Sequence, residues 1–464
     1  MLTVLINEDK KEPIYVQLYI GIKESIAEGT IKPGEKLPSK RKLAEHLNVS
    51  VNTVTNAYAQ LMAEGNIEAI EKRGYYVRRT DWIRPIKKSQ LKIYPKAKAI
   101  INQHEYEYEL NTNMVDTANF PFSIWAKLMR ESIQEEQNSL LELGPTQGDF
   151  LLRQEIANYL HDFRNITVSP EQIVLGAGVE PLLGVIIELL SENIFALENP
   201  CYYKLSRILD NKQIKFKPIQ MDLEGMRIDI LRKSRASVVY TTPSRHFPLG
   251  TIMSATRRMQ LIEWAEQSPE RYLIEDDYDS EYRYRLRQIP ALYSTNHCEK
   301  IIYLNTFART LAPSLRIAYM ILPMGLLNKY HELFSFSSCT VSTFEQSTLR
   351  RFLQQGYYER HINRMRTIYR ERRDVFVSAL SPILSQFTIS GSEAGIHFLI
   401  HSNTGMTEKQ MIEYAKKEGV KIYGLSDYYI DDLKETHTVL LGFGGLSKEA
   451  LRQAAARLIK AWKK

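Results

Sequence analysis

Apolar residues recur every four positions near the start of the chain, at Ile14, Leu18, Ile22 and Ile26. That repeat places one stripe on one face of a helix. Glu12-Pro13 opens the helix, because proline's missing N–H costs nothing in a first turn, and Gly29 closes it. After Pro33-Gly34, Ser39 can cap a second helix running through Leu47. Ser50 caps a third, in which Val54, Ala57 and Leu61 form the buried stripe before Gly65. Two short β-like runs follow, 67–70 and 75–78, joined by Glu71-Lys72-Arg73-Gly74. From about residue 108 helical stretches alternate with short apolar runs, among them 173–175, 237–240, 272–274 and 301–304. Such alternation predicts an α/β domain with a mostly parallel sheet and helices on both faces.

Three helices and a hairpin make a winged helix-turn-helix, in which the third helix enters the major groove and the wing meets the backbone. Asn52, Thr53 and Asn56 are short polar side chains opposite Val54 and Leu61, placed to reach base edges or phosphates. Ser39, Lys40 and Arg41 stand at a helix start, where N–H groups and cations both suit phosphate. Lys72 and Arg73 put cations at the wing turn. Residues 1–80 carry 12 Lys/Arg against 10 Asp/Glu, so DNA affinity has to rest on placement rather than bulk charge.

With 464 residues the chain exceeds one compact core, and its overall charge of +7 is mild. Three segments are expected: a DNA-binding domain over 1–81, a linker over 82–107 and a large domain over 108–464. Within 82–100 stand Arg84, Lys87, Lys88, Lys92, Lys96 and Lys98, no acid, and Pro85 and Pro95, the composition of an extended basic tether. Its cations read first as a solvated spacer and second as further phosphate contacts. Cys201, Cys298 and Cys339 show no CxxC spacing, which suits a reducing cytoplasm, and no metal site is expected. No run approaches the roughly 18 apolar residues of a membrane span, so no membrane partner is expected.

The stretch 37–65, from Leu37-Pro-Ser-Lys-Arg to Ala-Glu-Gly65, resembles the signature of the GntR-type winged helix. It departs at Val51, where the family often has a DNA-contacting arginine. Leu143-Gly-Pro-Thr-Gln-Gly-Asp-Phe-Leu-Leu-Arg153, Ile274-Glu-Asp-Asp-Tyr-Asp-Ser-Glu-Tyr-Arg-Tyr284 and the segment around Arg309 resemble the aminotransferase-like half of MocR-type regulators. So do 360–366 and 440–446, and the likeness spans nearly the whole chain. It implies a large fold-type-I PLP-transferase-like domain, a head-to-tail homodimer, double-stranded operator DNA as partner and PLP as a sensor ligand. By the same resemblance Asp276 pairs with the pyridine nitrogen and Tyr278 with the phenolate oxygen. Tyr202 stacks near the ring, Arg316 binds phosphate, and the turn at Ala177 and Gly178 cradles it.

Other positions break the pattern. Arg309 stands where the family has the lysine that bonds PLP, and Ala308 replaces a small hydroxyl residue before it. A guanidinium stays protonated and forms no stable imine. Pro243-Ser-Arg245-His246 replaces Pro-Ser-His-Gln, and Val179 and Glu180 replace the loop's glutamines. Asp427 stands where GABA-responsive relatives have a carboxylate-gripping arginine, so Arg245 and Asp427 are expected in the effector pocket, whose ligand would present a cation or an amine rather than a carboxylate. Arg309 and Arg316 together attract the PLP phosphate, or Arg309 pairs with Asp276 and fills the space. The second is the expectation, so PLP is held non-covalently at most. The leading reading is a transcription regulator with a catalytically inactive aminotransferase-like domain, which dimerises and senses a ligand. The competing classes are an active PLP-dependent aminotransferase with a DNA-binding appendage and a dimer with no ligand at all.

Overall fold

The computed structural model describes residues 4, 12–78, 106–284, 289–295, 299–431 and 435–463. The chain divides into two compact units, Met1–Gln103 and His104–Lys464. Of the expected linker, residues 82–105 lie outside the described residues. Glu107 already belongs to the large unit, donating its N–H to Gly419 O at 2.9 Å.

The N-terminal unit is built from α1 (Ile14–Ala27), α2 (Lys40–Leu47), α3 (Val51–Ala63), β1 (Ile67–Ile70) and β2 (Gly74–Val77). Ser39 and Ser50 cap α2 and α3, accepting from the backbone N–H groups of Lys42 and Thr53 at 3.3 and 3.0 Å. Asn48 ends α2 in the left-handed region, a conformation asparagine tolerates. Leu18 and Ile22 pack against Val54, Ala57, Tyr58 and Leu61, all fully buried. Tyr58 fixes the approach to α2 by donating to Pro38 O at 2.9 Å. In the hairpin Ile67 faces Val77 and Ile70 faces Gly74. The second strand therefore begins one residue before the expected 75, although Arg78 still bonds Asn66 O at 3.0 Å.

The large unit opens with β3 (Tyr108–Glu109), α4 (Phe122–Glu136) and α5 (Phe150–Arg164). Strands and helices then alternate: β4 (Ile173–Gly176), α6 (Val179–Leu189), β5 (Phe195–Asn199), α7 (Tyr203–Asn211), β6 (Phe216–Asp222), β7 (Gly225–Met226), α8 (Ile228–Lys233), β8 (Val238–Thr241), α9 (Ala255–Glu266), β9 (Tyr272–Asp276), α10 (Leu292–Thr295) and β10 (Ile301–Thr306). After β11 (Ala318–Ile321) come α11 (Met324–Phe334), α12 (Thr343–Gln354) and α13 (Tyr357–Ala379). The chain closes with β12 (Phe387–Ser390), β13 (His397–Ser402), α14 (Glu408–Lys417), β14 (Val420–Lys421), β15 (Tyr423–Gly424), β16 (Thr438–Gly442) and α15 (Lys448–Trp462).

Eight strands form one sheet in the order β4-β11-β10-β9-β8-β5-β6-β7. The central run β10, β9, β8, β5 and β6 is parallel, while β11 lies antiparallel between β10 and β4. Separate apolar clusters are built around Tyr303, Tyr319 and Ile321, and around Ile302, Leu304 and Met320, so neighbouring residues of β10 and β11 belong to different cores. Strands buried on both faces read as continuous apolar runs, which is why β4, β8, β9 and β10 were visible in the sequence. A smaller antiparallel sheet, β12-β13-β16-β15, completes the unit. Among the described residues no helix is long and apolar enough to cross a membrane.

Candidate functional site

The parallel strands all end on one edge of the large sheet, where open α/β folds hold ligands. A cavity of about 170 Å³ lies there, lined by Gly178, Tyr202, Asp276, Tyr278, Arg309 and Arg316 among others. Six of the seven residues expected at the cofactor thus meet around one space. Ala177 does not line it, and its N–H is spent on Thr340 Oγ1 at 2.9 Å.

Asp276 ends β9, half-buried at the cavity wall. One of its oxygens accepts from Tyr240 OH, while Oδ1 is buried with no partner. Burial pushes the carboxyl up to about 7, against the Tyr240 hydrogen bond, and neighbouring Asp277 and Asp279 push the same way. A lone buried acceptor is costly unless a donor arrives. Tyr278 OH accepts from Arg245 Nη1 at 3.1 Å, and its ring lies 5.9 Å from that of Phe247. Glu198 also faces the cavity, but Thr241 Oγ1 and the N–H and hydroxyl of Thr242 already donate to it.

At the other end α6 begins on Gly178, whose φ of +94° suits glycine and which offers no capping side chain. A side chain at 178 would collide with the Arg316 guanidinium. Arg316, with 51% of its side chain exposed, lies 4.0 Å from Glu180 in the first turn of α6.

Arg309 does not pair with Asp276, contrary to expectation. The turn after β10 sends its guanidinium to Thr112 O at 2.6 Å and Asn113 Oδ1 at 2.8 Å, and Tyr240 already holds one Asp276 oxygen. The guanidinium also lies 5.6 Å from the centre of the Tyr278 ring. The effector-pocket expectation needs the same correction, since neither residue lines the cavity. Arg245 is buried and consumed by Asp279 at 2.9 Å and His397 O at 2.9 Å, a site that needs a counter-charge rather than a ligand. Asp427 is exposed in the turn after β15. Sequence reasoning missed Tyr240 and the pair Thr112–Asn113, whose roles depend on contacts 36 and nearly 200 residues away in the chain.

In the N-terminal unit Asn52 and Asn56 are exposed one turn apart on α3, whereas the Thr53 hydroxyl is engaged by Ser50 Oγ at 2.8 Å. Arg41 is exposed, and Lys40 lies 5.4 Å from the Tyr75 ring centre. Lys72, in the left-handed region at φ +61°, and Arg73 project from the hairpin turn. None of Arg41, Lys72 and Arg73 pairs with a carboxylate among the described residues. Lys23 and Arg78, by contrast, are paired with Glu64 and Glu68 at 2.6 and 3.2 Å. Lys36 and Lys42, cations that the sequence reading passed over, border a shallow concavity beside Ser39 together with His46.

An open sheet with a ligand cavity at its strand ends, on the same chain as a winged helix, defines a DNA-binding protein carrying an aminotransferase-type domain. Residues 108–458 match the family described as aminotransferase class I and II, and residues 14–77 match bacterial regulatory proteins of the gntR family. The HTH-type transcriptional regulator YdeL of Bacillus subtilis is 38% identical, with 100% of this chain and 99% of that protein covered. The probable rhizopine catabolism regulatory protein MocR of Rhizobium meliloti is 28% identical over 99% of this chain and 96% of its own length. Among solved structures, the multiple substrate aminotransferase of Thermococcus profundus superposes with a TM-score of 0.69 at 26% identity. That match covers 76% of this chain and 91% of the enzyme. The chain belongs to the MocR-type subfamily of gntR-family regulators and is a DNA-binding transcription regulator.

Proposed function

We propose that the large unit is a catalytically inactive aminotransferase-like module that dimerises, senses a small ligand and thereby sets how the winged helices engage repeated operator half-sites. The observation that carries this reading is Arg309. A guanidinium held by Thr112 and Asn113 occupies the cavity wall, and no lysine among the described residues lines the space. Imine formation needs an amine that can lose its proton, which arginine is not.

The residues present fit PLP at two ends and fail at the third. Asp276, with its unpartnered oxygen, would hold the ring nitrogen, and Arg316 with the α6 start would hold the phosphate. PLP supplies an electrophilic aldehyde, and that group has no amine to bond here, so binding is non-covalent. Ligand binding matters to DNA only through different affinities for two arrangements of the protein.

A second copy of this chain fits the apolar surface near α4. Leu141, Leu143 and Phe336 are 76%, 87% and 86% exposed. Their segments adjoin, as Thr343 donates to Leu140 O and Thr146 to Ser337 O. A patch of this kind marks an association surface, here for a head-to-tail homodimer.

The test incubates purified protein with PLP, an amino donor and a 2-oxo acid, then treats it with borohydride. Wild type should give neither turnover nor a fixed adduct, whereas Arg309→Lys should gain an adduct at residue 309. Turnover by the unaltered protein would end the proposal.

A further inference from the structure

The anion-attracting end of the cavity already holds a carboxylate. The helix α6 starts on a glycine with no capping side chain, and the Arg316 guanidinium is pressed against that start. Such a place attracts negative charge, from the helix dipole and the cation together. Glu180, in the first turn of the same helix, supplies it. One of its oxygens lies 4.0 Å from Arg316 Nη2, and the other accepts from Lys204 Nζ on α7 at 3.2 Å. Glu180, Gly178 and Arg316 line the cavity whose far end holds the orphaned, buried Asp276 oxygen. The space thus offers an unpartnered acceptor at one end and a carboxylate beside the cation at the other.

We propose that Glu180 is a specificity-determining residue that competes with a ligand's phosphate for Arg316 and the α6 start, lowering the advantage of phosphorylated ligands over unphosphorylated ones. This rests on the reading that the cavity binds a small ligand. A phosphate ester carries close to two negative charges at pH 8 and would have to enter beside the Glu180 carboxylate or displace it. Repulsion scales with the product of the charges, so the penalty falls on phosphate and spares a neutral hydroxymethyl group at the same position. Lys204 offsets part of it, and screening by salt removes more.

The experiment measures equilibrium binding of pyridoxal 5′-phosphate and of pyridoxal to the full-length protein and to Glu180→Gln, at pH 8 and at low and high salt. Glu180→Gln keeps the shape of the side chain on an exposed turn, and circular dichroism with a melting curve checks folding. At low salt the variant should bind pyridoxal 5′-phosphate about tenfold more tightly, with pyridoxal unchanged. The gain should shrink at high salt. Lys204→Met, which leaves Glu180 less compensated, should shift phosphate binding the opposite way. Equal or weaker phosphate binding in Glu180→Gln, with wild type binding normally, overturns this inference and leaves the ligand reading standing. Binding of neither compound to either protein overturns both.

Discussion

Removing the Arg73 guanidinium should change how DNA binding depends on salt, not only how tight it is. Arg73 projects from the β1–β2 turn without a carboxylate partner among the described residues, so its charge is available to a phosphate. Arg78, five residues on, is tied to Glu68 at 3.2 Å and serves as the internal control. Each phosphate neutralised contributes about 0.9 to the slope of log affinity against log salt. One contact per subunit in the proposed dimer would therefore account for about 1.8 of the slope. Between 50 and 200 mM salt that is about a twelvefold change in affinity. Arg73→Ala should flatten the slope by that amount, and Arg78→Ala should leave it within experimental error. Fluorescence anisotropy with labelled operator DNA at five or six salt concentrations measures both. A slope drop near 0.9 would mean that one head engages DNA at a time. Equal effects from Arg73→Ala and Arg78→Ala would refute the sorting of free from paired cations.

Two predictions concern the large unit's stability. Arg164 and Asp277 form a buried ion pair with each side chain about 1% exposed. Arg164→Met should cost about 3–5 kcal/mol in chemical denaturation, because it strands a buried carboxylate. Adding Asp277→Asn should recover much of it; a loss below about 1 kcal/mol in the single variant would show that the pair contributes little. The second uses the Asp276 carboxyl, whose folded value of about 7 stands above its usual 3.8. A carboxyl raised on folding binds more protons in the native state, so its contribution is full below about 3.8 and is lost as pH rises from there to about 7. Asp276→Asn should therefore melt close to wild type near pH 4 and progressively above it by pH 7. A gap that narrows over that range would invert the assigned cause, which is burial.

The winged helix was legible almost residue by residue, because its signals are local. Ser39 and Ser50 act on N–H groups three residues away, and Ile14, Leu18 and Ile22 share one helix face. The large unit's strands 173–176 and 301–306 were visible for a related reason, since burial on both faces leaves an unbroken apolar run. By contrast β5 ends in Glu198-Asn199, polar residues buried only because Thr241, Thr242 and Asp431 meet them. Nothing in the segment itself announces that. Arg309 shows the same limit at the site. Its identity excludes an imine, but which acceptors it finds depends on residues 112 and 113, nearly 200 positions earlier, lying beside it.

The acidic run from Glu275 to Glu281 shows why a scaffold can outlive its chemistry. Glu275 accepts from the N–H groups of Leu292 and Tyr293 at 2.7 and 2.8 Å, which ties β9 to α10. Asp277 takes Arg164 and the Tyr303 hydroxyl, the latter at 2.7 Å, and joins β9 to α5 and β10. Asp279 neutralises Arg245, and Glu281 takes a hydroxyl from Tyr159 at 3.4 Å. Asp276, Asp277 and Glu281 each keep one buried oxygen without a partner, but of the five acids only Asp276 lines the cavity. Loss of any of the other four strands a buried charge or donor elsewhere, at a cost comparable with a large share of a domain's stability. Folding alone is therefore enough to retain most of the motif, with or without turnover. The residues that report on ligand chemistry are the ones that line the cavity: Glu180, Arg309 and Asp276 with its open oxygen.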